Sequence, residues 1–154
     1  QAAQNRYWDF FGEVPLMHDE QNALYVHGSS REPTIEKVYP EDIFNPTKME
    51  RLFSRIEQLC FQGHTHIPGV FTETGYLAPQ ECGHVYRPSG EKAMINVGSV
   101  GQPRDGDRRA CYVTLVDKTV TFHRTEYPAE KTRDKVYAIP ELDNRLGDRL
   151  LEGR

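Results

Sequence analysis

The chain has 154 residues, 37% of them hydrophobic and 27% charged, with a formal net charge of −4 and a pI near 5.9. That is the size of one ordinary domain or of a piece of a larger one, and the interspersed, slightly acidic charge excludes a surface built for a nucleic-acid backbone or an anionic membrane. No run approaches the ~20 apolar residues that cross a bilayer, Gln1 to Phe10 contains no apolar core of a secretory signal, and the scattered Cys60, Cys82 and Cys111 make no disulfide framework, so a reducing, cytoplasmic setting is expected.

Asn5 to Phe11 reads as a short helix, with Tyr7, Trp8 and Phe11 on one face and Gly12 and Pro15 ending it. Ala23 to His27 is an apolar run between polar flanks, as in a buried strand, and it breaks at Gly28-Ser29-Ser30. Asn45-Pro46 supplies an N-cap and a first-turn proline. Met49, Leu52, Phe53 and Ile56 then recur at helical spacing. Leu59 to Gln62 predicts a second buried strand, and the order strand, helix, strand favours a parallel pair. Short extended runs follow at Gly69–Thr72, Ala93–Val97, Ala110–Val116 and Thr119–Arg124, the last two joined by a hairpin at Asp117-Lys118. Helical texture returns over Ala129–Ile139 and Leu142–Leu151, ending at Gly153. The fold class is α/β.

Three segments could carry chemistry. Gly63-His64-Thr65-His66 directly follows a buried strand. Two histidines one residue apart in extended chain project to the same side, where their rings can serve one metal or two neighbouring ones. His27-Gly28 also ends a strand. If the strands are parallel neighbours, three imidazoles share one sheet edge, the edge where α/β proteins place ligands. The third segment, Asn96 to Gly106, is glycine-rich and follows a strand. Its backbone amides could hold an anion, with Arg104 pairing to phosphate. His18, in a polar stretch beside Asp19 and Glu20, and His84 and His123 lack such settings and read as surface or structural residues. Cys60 and Cys111 read as core.

Taken together, Leu24-Tyr25-Val26-His27-Gly28-Ser29, Gly63-His64-Thr65-His66-Ile67-Pro68 and Ile95-Asn96-Val97-Gly98-Ser99-Val100-Gly101-Gln102-Pro103-Arg104 resemble, in order, the later blocks of the calcineurin-like metallophosphoesterase superfamily, and of its bacterial and archaeal phosphodiesterase-like branch. The resemblance spans about Leu24 to Val116; proline is usual where Val97 stands. It implies the C-terminal part of a four-layer α/β/β/α sandwich that hydrolyses phosphomonoesters or phosphodiesters with a metal-bound hydroxide and two divalent ions (Mn, Fe, Zn or Ni). By match, His27 and His64 bind one metal and His66 the other, while Asn96, Gly98, Ser99 and Arg104 border the substrate.

The family's earlier blocks, Asp-x-His, Gly-Asp-x-x-Asp and Gly-Asn-His, have no counterpart here. No histidine has an aspartate two positions before it or an asparagine just before it, and Gly106-Asp107-Arg108-Arg109 lacks the second aspartate of the middle block. Two metals ~3.5–4 Å apart need bridging anions to coexist, and imidazoles compensate none of that charge. The expectation is therefore a C-terminal portion, beginning at Gln1 after the carboxylate motifs, with no catalytic residue of its own, binding at most one metal and weakly. Its partners would be a phosphate-ester substrate and either the missing N-terminal half or another copy of itself. The alternative is a non-catalytic, phosphoesterase-like protein-interaction module.

Overall fold

The computed structural model describes residues 2–154, and side chains from residue 6 onward. Helix α1 (Ala2–Glu13) leads into strands β1 (Met17–Glu20) and β2 (Ala23–Val26), a 3-10 turn (Pro40–Phe44), α2 (Pro46–Phe53), β3 (Leu59–Gln62), β4 (Gly69–Thr72), β5 (Gly75–Leu77), β6 (Val85–Tyr86), β7 (Ala93–Asn96), β8 (Ala110–Val116), β9 (Thr119–Thr125), α3 (Ala129–Tyr137) and α4 (Arg145–Glu152). Six strands form one sheet in the order β1-β2-β3-β7-β4-β5, and three form a second in the order β6-β9-β8. Within the larger sheet β2, β3 and β7 run parallel, and β1, β4 and β5 are added antiparallel.

Period-two alternation decides which way each strand residue faces. Cys60, Phe71 and Met94 pack with Met49, Leu52, Phe53 and Ile56 around α2. Leu59, Phe61, Val70 and Ile95 face the small sheet, meeting Tyr86, Cys111, Val120 and Phe122. Helix, large sheet and small sheet are thus successive layers with an apolar seam on each side of the large sheet. Helix α2 starts as predicted, the Asn45 side chain accepting from the Lys48 N–H at 3.0 Å with Pro46 in the first turn.

Three elements were not legible. His18 lies in β1, an edge strand, rather than in a loop; a turn at Gln21 and Asn22, with φ of 52° and 68°, folds β1 onto β2. β5 and β6, of three and two residues, are too short to carry a pattern. The Asp117-Lys118 hairpin is present, both residues at positive φ, and α4 ends at Gly153 in the left-handed conformation.

Candidate functional site

The carboxyl ends of β2, β3 and β7 lie at one edge of the sheet and deliver the three segments there: His27 just past β2, Gly63–His66 after β3 and Val97–Ser99 after β7. The Gly63 N–H donates to the His27 carbonyl at 3.0 Å and the Val97 N–H to the Gln62 carbonyl at 2.9 Å, so the ladder continues into the loops. A cleft of about 750 Å³ opens at this edge, between the large sheet and β8, and His27, His64, His66, Gly98 and Ser99 line it.

The loop's geometry differs from the extended chain expected. His64 and His66 both sit at φ 63°, the left-handed region that costs a residue with a side chain. Thr65 between them is buried, its N–H bonded to the Gly63 carbonyl at 2.7 Å. The rings therefore reach the cleft by two left-handed kinks and not by strand alternation. His64 Nδ1 lies 3.0 Å from His27 Nε2. His66 Nδ1 lies 2.7 Å from the Gln102 carbonyl, which can only accept, so Nδ1 carries the proton and Nε2 keeps the lone pair.

The third segment braces this loop. Asn96, fully buried, donates from Nδ2 to the Gly63 carbonyl and to Thr65 Oγ1, both at 2.8 Å, and its Oδ1 accepts the Gly98 N–H at 3.0 Å. Gly98 sits at φ 77°, and a Cβ there would stand 2.8 Å from Cys111 Sγ, so only glycine lets the turn close on β8. Arg104 directs Nη2 to Gln102 Oε1 at 2.6 Å, and its backbone N–H donates to the His66 carbonyl at 3.2 Å. Gly98 and Ser99 thus face the cleft, while the polar atoms of Asn96 are spent between loops.

Partial burial and neighbouring positive charge shift two of the rings toward the neutral form. Loss of hydration, with His27 close by, holds His64 below the ordinary imidazole value. Loss of hydration likewise lowers His66, with Arg104 adding and the Gln102 hydrogen bond opposing. Neutral imidazole is the ligating form. The 3.0 Å between His27 Nε2 and His64 Nδ1 is a hydrogen bond when one of the two nitrogens carries a proton. Two nitrogens bound to one ion at ~2.1 Å stand about 3.0 Å apart at right angles and about 3.4 Å apart at a tetrahedral angle, so a small shift of either ring brings both within reach of a shared ion. Two ions do not fit, because no aspartate or glutamate lines the cleft. Among the described residues, no group of three or more histidine, cysteine or carboxylate side chains is placed to hold a metal.

Sequence reasoning missed Thr65 and the Gln102 carbonyl. A backbone acceptor leaves no trace in residue type. It also missed Gln62, buried with neither amide atom bonded, whose signal was a lone amide in an apolar strand.

No protein-family model matches the chain. It is 34% identical to an uncharacterized protein of Methanocaldococcus jannaschii over 98% of this chain and 61% of that protein. Among solved structures it is similar to a metallophosphoesterase from Sphaerobacter thermophilus, with 32% identity and a TM-score of 0.85 over 97% of this chain and 62% of that one. A hypothetical protein from Pyrococcus horikoshii, 14% identical with a TM-score of 0.66 over 95% of this chain and 54% of that one, shares the fold. The chain spans 61% and 62% of the length of the two nearer relatives named here. The three segments in this order, on this fold, place the chain in a family: it belongs to the calcineurin-like metallophosphoesterase superfamily.

Proposed function

We propose that the chain is the C-terminal part of a phosphoesterase that works with two divalent metal ions and is inactive by itself. The observation that carries this is the His27–His64 pair, 3.0 Å apart at the end of two parallel strands, in a cleft without a carboxylate. His27 and His64 would hold one ion and His66 the other. Ions held by these residues together with the further carboxylates would supply charge to clamp phosphoryl oxygens and to lower the pKa of an attacking water. The chain's own residues orient: Gln102 fixes the His66 ring, Asn96 ties the two loops together, and Gly98 and Ser99 border the substrate side. The bridging carboxylates would come from a further segment, for which the greater length of the relatives leaves room. Substrate class stays at phosphate ester, mono- or diester, in the cytoplasm.

Titration calorimetry tests the reading. The chain alone should take up at most one ion, weakly, with Ni²⁺, Cu²⁺ or Zn²⁺ displacing Mn²⁺ at an all-imidazole site, and His64→Ala should abolish that uptake. With excess Mn²⁺ it should not hydrolyse an aryl phosphate above the metal-only rate. Hydrolysis that disappears in His66→Ala would overturn the claim that the part is inactive. The non-catalytic module has one observation in its favour, the aromatic side chains exposed on α1. Failure of His64→Ala to change metal uptake would favour it.

A further inference from the structure

The segment Gln102–Arg104 grips His66 at two points, ring and backbone, and something must fix that segment in turn. In front, Ser99 Oγ accepts the Gln102 N–H at 2.9 Å. Behind stands Asp105, whose carboxylate is ion-paired with Arg124 of β9, the two side chains only 12% and 6% exposed. Arg124 also donates to the Arg109 carbonyl at 3.2 Å and approaches the Asp107 carboxylate at 3.7 Å. Among the described residues no other group hydrogen-bonds the Asp105 carboxylate; its second oxygen is buried without a partner. One planar guanidinium on the small sheet therefore holds the far end of the loop whose near end holds His66.

We infer that Arg124 is a positioning residue for His66, acting through Asp105 and the Gln102–Arg104 grip. Left-handed backbone at a residue with a side chain persists only where its surroundings over-determine it, and His66 at φ 63° meets that demand through this grip. The guanidinium suits the task because its fork bonds a carboxylate and carbonyls together in one fixed geometry, which a lysine ammonium does not. Removing one partner of a nearly buried ion pair strands the other charge, so the loop relaxes and the Gln102 carbonyl leaves the ring. His66 then loses its single tautomer, and Nε2 no longer presents a lone pair in every molecule. What that lone pair serves rests on the proposed metal reading; the positioning itself does not.

The test is metal-free nitrogen NMR of the chain labelled at histidine, at a pH above the imidazole range, with His66 assigned by its loss in His66→Gln. The wild-type ring should show two widely separated nitrogen resonances, protonated at Nδ1. In Arg124→Gln the two should move toward each other as tautomers mix, while the His27 and His64 rings and the dispersed amide spectrum stay as they were. Arg124→Lys, which keeps charge but not the fork, should restore part of the separation. If Arg124→Gln does not fold, Asp105→Asn keeps the volume and gives the same readout. Unchanged His66 shifts in a folded variant of either residue would overturn the inference, as would a mixed tautomer in the wild type. Metal titration fails or succeeds separately, so loss of the metal reading would leave this result standing.

Discussion

Helices α1 and α2 carry comparable apolar residues and meet opposite fates. On α2, Leu52 is 0% and Phe53 3% exposed. On α1, Trp8 is 74% and Phe11 65% exposed. Pattern alone therefore does not make a helix part of the core; a sheet face must stand opposite. α2 has the face built by Cys60, Phe71 and Met94, whereas among the described residues the exposed aromatics Trp8, Phe10 and Phe11 of α1 lie against one another. The same contrast runs through the large sheet. Its α2 side is closed, and its other side is covered by the small sheet only in part, leaving Tyr25 and Tyr112 on the wall of the open cleft.

The comparison breaks most readily on stability. Leu52→Ala should cost about 2–5 kcal/mol, as for other fully buried leucines, whereas Trp8→Ala should change stability by no more than about 0.5 kcal/mol. Chemical denaturation of both variants decides, and a Trp8→Ala loss as large as that of Leu52→Ala would mean that α1 is seated after all. Association comes next. The edge strand β8 exposes Leu115 and Val116, and an uncharged edge invites pairing. Light scattering should find assemblies larger than the 17.7 kDa chain, and Leu115→Lys should shift them toward monomer; a wild-type chain already monomeric at high concentration would remove the unpartnered face from the argument.

A smaller effect lies in acid. The hydrogen bond from the Arg109 side chain holds Asp107 down from 3.8 to about 2. A carboxylate depressed in the folded state adds stability above its unfolded value, and that stability is lost as pH falls through the folded value. The acid limb of a stability curve should therefore steepen between pH of about 4 and 2, and Arg109→Ala should flatten that portion. Least of all should be a difference in thiol chemistry on the two sides. Burial pushes Cys60, on the closed side, up to about 12 and Cys111 up to about 11. Cys82, half-buried, should react first with a thiol reagent, and fast labelling of Cys60 in native protein would show that the closed side opens.

Much of the frame was legible because its signals are local. Asn45-Pro46 capped α2, the β2–α2–β3 order gave the parallel pair, and glycine beside histidine at two strand ends marked the cleft. What escaped depends on tertiary context. The β1 strand exists because β2 offers an edge, not because Met17–Glu20 alternates. The inward aim of His64 and His66 was anticipated for the wrong reason, since left-handed backbone in residues with side chains leaves no mark in the sequence. Asn96 read as a residue facing substrate; its amide is spent within the fold, where the loops it joins lie 31 residues or more apart in the chain.

The two left-handed histidines have a consequence of an evolutionary kind. Each holds a conformation that costs a residue with a Cβ about 1–2 kcal/mol and costs glycine almost nothing. Drift under selection for stability alone would run toward glycine at positions 64 and 66. The ring hydrogen bonds of His64 and His66 offset part of that cost, and on the proposed metal reading ligation would supply the rest, so this turn would set backbone strain against chemistry at two named residues. A library randomised at those two positions and sorted first for folded protein, then for metal uptake, should return different residues from the two sorts.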